Sequence, residues 1–184
     1  VDDTIKNTRN IVKQDKAIIG GNFCRWYGGF DSYIIAKEFD CPIWAPSMGR
    51  KIKGEELIPD LEHLPFLPWG QWMHKLAEFK YAIHLMQTFA AGSFMLNCAY
   101  LGIPCIGYNR VDTQRKLFPE LSINVDDLES ARKLARRLVD DIDFYNHCSS
   151  TAMKLFEEHY SENAFNDWKN NFFPNVDKFI KDWK

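Results

Sequence analysis

Six short apolar runs set the limits on what this chain can fold into. They begin near Ala17 (AIIGG), Cys41 (CPIWA), Leu61 (LEHLPFL), Tyr81 (YAIHLM), Pro104 (PCIGY) and Leu121 (LSINV), with start-to-start spacings of 24, 20, 20, 23 and 17 residues. Each run has the length of a strand, and each interval leaves room for a helix and its turns. Helical periodicity fills most of the gaps: Tyr33, Ile34 and Ala36 to Phe39; Trp72, Leu76 and Phe79; Phe94, Cys98 and Leu101. Strands alternating with helices predict an α/β fold, a doubly wound parallel sheet of about six strands. After Val125 the pattern turns helical. Asp126 or Asp127 caps a stripe of Leu128, Ala131, Leu134, Ala135 and Leu138. Two further helices are expected over 143–160 and 161–171, before a last segment from Val176 that carries Phe179 and Trp183.

This pattern divides the chain into an N-terminal helix or linker (1–16), the α/β domain (17–160) and a C-terminal helical segment (161–184). With 184 residues, 46% of them hydrophobic and 26% charged, one domain can bury a sizeable core. A net charge of −2 argues against a nucleic-acid partner. Five cysteines, an odd number without a C-x-x-C pair, fit neither a disulfide framework nor a zinc site and point to a reducing, cytoplasmic compartment. Residues 81–109 form a 29-residue stretch without Asp, Glu, Lys or Arg, long enough to raise the question of a membrane span. His84, Gln87, Asn97 and Pro104 interrupt it, and Gly92 and Gly102 divide it. It therefore reads as strand, helix and strand rather than as a transmembrane segment. The basic residues Arg132, Lys133, Arg136 and Arg137 read as a solvated helix face, with a peripheral membrane contact as the alternative. The opening Val1-Asp2-Asp3 lacks the basic flank and apolar core of a signal peptide and is compatible with a fragment of a longer protein.

Ligands of open parallel sheets sit beyond the carboxyl ends of the strands, so the loops after the strands hold the candidate chemistry. The first, Gly20 to Arg25, offers a turn at Gly21 and an anion contact at Arg25. The second, Pro46 to Gly54, carries Lys51 and Lys53 beside Arg50, and reads equally well as a solvated loop. Phe66 and Leu67 in the third form an apolar surface that suits a flat base or simply seals the end of the sheet. The fourth, Thr88 to Ser93, leads small residues into a helix start, where free N–H groups and the macrodipole favour phosphate at Gly92 and Ser93. Asn97, one turn on, reaches a ribose hydroxyl or caps a neighbouring loop. His84 reads as a satisfied core histidine. His63, His74, His147 and His159 have no spacing for a metal or triad, so no metal is expected and no catalytic residue is assigned. Phe165, Trp168 and Phe172, at i, i+3 and i+7, read chiefly as core, with a docking face as the alternative.

The string AAGSFMLNCAYLGIPCI, from Ala90 to Ile106, resembles the nucleotide-sugar motif of GT-B glycosyltransferases, in which a glycine-led helix ends in A-x-x-G-x-P and a hydrophobic run. LPFLP resembles that family's base-contacting loop and FPEL its closing elements, and the similarity extends from about Ala17 to Tyr160. The resemblance implies a Rossmann-like domain, the C-terminal donor-binding half of such an enzyme, taking a nucleoside-diphosphate sugar without cofactor or metal. On that basis Thr88, Gly92 and Ser93 belong to the diphosphate loop, while Gly21, Arg25, Lys51 and Lys53 approach the diphosphate from the other loops. Phe66 and Leu67 lie beside the base, and Asn97 takes the ribose site. Transfer to an acceptor sugar or glycan then needs an N-terminal domain or partner subunit. Many retaining members carry two glutamates eight positions apart where this chain has Phe89 and Asn97. That departure keeps a non-catalytic nucleotide-binding or interaction module as the rival reading. A receiver domain is disfavoured, because Gly20, Gly21 and Asn22 follow the first strand where clustered acids would be needed.

Overall fold

Strand positions follow the apolar runs closely. The computed structural model describes residues 5–21, 23–46, 54–89 and 92–182, without the side chains of residues 25, 56, 173, 174, 177–180 and 182. The strands are β1 (Gln14–Ile19), β2 (Ile43–Ala45), β3 (Leu61–His63), β4 (Phe79–His84), β5 (Cys105–Tyr108) and β6 (Ser122–Ile123). They form one sheet in the order β3-β2-β1-β4-β5-β6, and every pairing is parallel. Two-sided burial accounts for their composition. All four residues of β5 are buried, as are Tyr81 to His84 of β4, so polar alternation has no place there. The uncharged stretch from Tyr81 to Asn109 resolves into β4, a helix and β5, and no helix among the described residues is long and apolar enough to cross a membrane.

The crossover helices are α1 (Gly29–Ala36), α2 (Trp69–Ala77), α3 (Ser93–Tyr100) and α4 (Asp112–Leu117), followed by α5 (Leu128–Asp140), α6 (Ile142–Tyr160) and α7 (Glu162–Asp182). Right-handed crossovers place α1 on one face and α2, α3 and α4 on the other, because the chain reverses its direction of travel across the sheet after β3. Helix α5 packs with α1, and α6 packs with α3 and α4, completing the two outer layers. Between them lies a core that includes Ile18, Ile83, Tyr81 and Phe39, the last two rings stacked with centroids 4.6 Å apart. The stretch before residue 17, expected as a helix or linker, contains a 3₁₀ turn (Thr8–Asn10) and the first residues of β1. Arg9 fastens that turn to α3: its Nε donates to the Tyr100 carbonyl at 2.7 Å and its guanidinium lies 4.1 Å above the Tyr100 ring.

The C-terminal helices begin where side-chain caps allow. Asp127 accepts from the Ser130 N–H at 3.0 Å, and Asp141 accepts from the Phe144 N–H at 2.9 Å. The basic face of α5 is paired: Arg136 meets Glu38 at 2.6 Å, Lys133 meets Glu129 at 3.5 Å and Arg137 meets Asp141 at 3.5 Å. Two expectations for the C-terminus need correction. No break follows Asn171; α7 continues through position 174, and Asn175 Nδ2 donates to the Asn171 carbonyl at 2.6 Å across the turn where proline supplies no N–H. Phe165, Trp168 and Phe172 are not core. They form an exposed ladder of rings on α7, with Trp168 and Phe172 stacked at 4.9 Å.

Candidate functional site

Strand order reverses between β1 and β4, which pair as neighbours with Ile19 opposite Ile83. At such a switch point the connections leave in opposite directions and open a crevice beyond the carboxyl ends of the strands. A cavity of about 360 Å³ occupies that position. Of the residues proposed from sequence, Gly21, Phe66, Leu67, Gly92, Ser93 and Asn97 all line it. Thr88 lies exposed in the loop after β4 and is not part of the wall. Arg25 begins a short 3₁₀ turn (Arg25–Tyr27), but its side chain lies outside the described residues, as do Lys51 and Lys53 entirely. Larger hollows exist at the amino ends of β2 and β3, beside Asp40 and Asp60 (about 610 Å³), and along α7 (about 520 Å³). Neither lies at the carboxyl end of the sheet, where the fold concentrates free backbone groups and loops.

One wall is the start of α3. No side chain caps this helix, and its first backbone bond runs from the Leu96 N–H to the Gly92 carbonyl at 3.2 Å. The amides of Ser93, Phe94 and Met95 are therefore those that a helix start leaves for a ligand. The Gly92 N–H is different: it donates to Thr113 Oγ1 at 3.0 Å, anchoring the loop to α4. Gly92 fits only as glycine, since a Cβ there would lie 2.5 Å from Met95 Sδ and 2.8 Å from Thr113 Oγ1. Asn97 stands one turn beyond Ser93 on the face turned to the cavity. Much of the remaining lining is apolar. Phe66 is 76% exposed beside Leu67, and Trp72 and Phe94 approach each other at 6.4 Å.

His84 forms part of the cavity lining at the end of β4, and sequence reasoning missed it. It is buried as expected but not satisfied: neither ring nitrogen has a hydrogen-bond partner among the described residues. Burial alone pushes its pKa down to about 4, so the ring is neutral near pH 7. Its neighbours explain the glycine pair at the end of β1. A Cβ on Gly20 would begin 2.5 Å from His84 Cγ, and one on Gly21, where φ is +80°, would begin 3.0 Å from Nε2. The edge of one ring meets the face of the other where His84 and Phe94 pack at 5.5 Å. A signal for this arrangement did exist: parallel pairing sets the two glycines that follow β1 beside the histidine that ends β4. Trp72, Phe94, Tyr27 and Met86 also line the cavity and were not singled out. No group of three His, Cys, Asp or Glu residues that could hold a metal ion occurs among the described residues.

No family profile and no curated protein matches the sequence. Solved structures do match the fold. Sucrose-phosphate synthase from Thermosynechococcus elongatus superposes with a TM-score of 0.70 at 11% identity, over 92% of this chain and 48% of that one. Anabaena HepE in complex with UDP and glucose gives 0.68 at 11% identity, over 95% and 53%. TarM gives 0.68 at 16%, over 90% and 36%. This chain thus spans about half or less of each neighbour. At these identities the likeness concerns the backbone, and what it establishes is that the chain has a Rossmann-like α/β fold shared with GT-B glycosyltransferases.

Proposed function

We propose that this chain is the donor-binding half of a glycosyltransferase and holds a nucleoside-diphosphate sugar in the cavity at the β1/β4 switch point. The observation that carries the reading is the uncapped start of α3 opening onto a cavity that Phe66 and Leu67 also line. A phosphate placed at the Ser93 and Phe94 amides gains both hydrogen bonds and the helix macrodipole. Asn97 then lies toward the ribose, and the Phe66–Leu67 shelf toward the base. Gly21 lets the backbone approach the diphosphate, while Arg25, Lys51 and Lys53 supply positive charge from the loops after β1 and β2. Amides and cations neutralise the diphosphate without a divalent ion. The acceptor approaches from a second domain or partner subunit, against which the Phe165, Trp168 and Phe172 ladder docks. Two of the solved neighbours, HepE with UDP and glucose and HepE with UDP-glucose, support the ligand class.

A second reading is favoured by one residue. Phe89, 76% exposed, stands where many retaining members carry a glutamate, which suits a module that binds a nucleotide without turning over a sugar. Calorimetric titration with UDP, GDP, ADP and dTDP, with and without EDTA, tests both readings. We expect one diphosphate to bind, unaffected by EDTA, and Ser93→Asp to weaken it by about 1–3 kcal/mol through repulsion at the helix start. Ser93 is a better probe than Gly92, where any side chain clashes. Loss of binding in EDTA, or undiminished binding by Ser93→Asp, removes the model. Sugar transfer by this chain with its partner domain separates an enzyme from a binding module.

A further inference from the structure

His84 is a buried polar group that no other described residue satisfies, and it lies in the wall of the cavity just described. Leaving both ring nitrogens unpaired costs stability, whereas a phenylalanine of similar shape would avoid that cost. Its surroundings restrict what could pair with it. Nδ1 lies against Gly20, where a Cβ would begin 2.8 Å away, and has no hydrogen-bond partner among the described residues. Nε2 faces Gly21, which itself lines the cavity near the start of α3. With the ring neutral, a proton on Nε2 is the one that stands beside the cavity-lining Gly21. The group then resembles the neighbouring amides of Ser93 and Phe94: a donor without an acceptor. Several donors on residues that line one cavity favour a ligand group that only accepts, and a sugar hydroxyl does not meet that description as well as a phosphate oxygen does.

We infer that His84 is a diphosphate-binding residue of this cavity, donating from the Nε2–H of a neutral imidazole to a phosphate oxygen of the bound nucleotide. The inference rests on the nucleotide-sugar reading and assigns a donor to that site which the sequence comparison did not. It also accounts for Gly20 and Gly21 as the residues that make room for the ring, rather than as phosphate-loop glycines alone.

The test compares each diphosphate with its own nucleoside: UDP with uridine, GDP with guanosine, ADP with adenosine and dTDP with thymidine. The tightest pair is carried forward to His84→Phe, His84→Asn and His84→Gln. Phe removes the donor and Asn moves it to the δ position, whereas Gln restores an amide at the ε position. We expect Phe and Asn to bind the diphosphate about tenfold or more weakly, with the nucleoside unchanged and Gln retaining most of the affinity. The melting temperature of His84→Phe should equal or exceed that of the wild type, since an unpaired polar group has been removed. A structural histidine would instead lose stability without changing affinity for folded protein. Equal diphosphate affinity in wild type and His84→Phe overturns the inference and leaves the donor-binding reading standing. An equal loss for nucleoside and diphosphate also overturns it, because the contact would not be to phosphate. If no diphosphate binds the wild type, the donor-binding reading fails and the inference fails with it.

Discussion

Gly20 and His84 define each other, and the pair shows what a residue's type alone does not reveal. Gly20 carries no left-handed strain, so an alanine there would meet no backbone penalty; the obstacle is the His84 side chain, whose Cγ and Cβ would lie 2.5 and 2.7 Å from the new Cβ. Gly20→Ala should therefore destabilise the protein by about 1–3 kcal/mol, the usual range for overpacking. In a His84→Gly background, which also removes the Cβ at 2.7 Å, the same substitution should cost much less, and a double-mutant cycle from urea denaturation measures the difference. Additive costs would show that the His84 side chain is not what excludes a side chain at position 20. Six of the ten residues picked from sequence line the cavity, because a loop after a parallel strand and a glycine before a helix have a fixed place in this fold. The missing partner of His84 could not be read in this way. Strand position told of its burial, but hydrogen bonding depends on residues brought together by the sheet, far apart in sequence.

Among the elements, all six strands were legible because each is short and lies in or beside an apolar run, and α7 was not, because its pattern is set by exposure rather than burial. An aromatic ladder at i, i+3 and i+7 has the same spacing whether it faces a core or solvent. Phe165 is 58% exposed and Trp168 51%, whereas Phe79 is fully buried. Phe165→Ser should accordingly change stability by no more than about 0.5 kcal/mol, while Phe79→Ala should cost about 3–5 kcal/mol. Chemical denaturation of both variants checks the contrast, and a large loss at Phe165 would mean that α7 buries this side chain. The helix starts offer a test in pH. The Ser130 hydroxyl and N–H hold the Asp127 carboxyl below its ordinary pKa, and the Phe144 N–H does the same for Asp141. Because the folded values are depressed, this stabilisation is complete above the unfolded carboxylate pKa of about 4 and is lost as pH falls through the folded values. Asparagine caps a helix without titrating. The Asp127→Asn, Asp141→Asn double variant should therefore lose stability less steeply than the wild type between about pH 5 and 2.

For the molecule as a whole, the sheet order turns scattered loops into one site. The turn after β1, the apolar shelf after β3 and the helix start after β4 are separated by tens of residues in sequence and meet only because β1 and β4 are neighbours. The same architecture limits what one such unit can do. A cavity at the ends of the strands holds its ligand from one side and leaves the other side to whatever faces it. Transfer of a sugar depends on keeping donor and acceptor in line, a positioning effect that can amount to roughly 7–11 kcal/mol. This chain spans 48% of sucrose-phosphate synthase and 53% of HepE, so it corresponds to about half of chains with this fold. No catalytic acid or base is identified in its cavity: His84 is too hard to protonate near neutral pH to serve as an acid, and Asn97 and Ser93 have no basic partner beside them among the described residues. We therefore expect these 184 residues alone to bind a nucleoside diphosphate and to release no sugar from the corresponding donor at a useful rate. The assay follows transfer from the best-binding donor to a range of acceptors, first with this chain alone and then with a second domain supplied in trans. Multiple turnovers by the chain alone would place both walls of the active site within it and would require a catalytic group that the cavity residues do not supply.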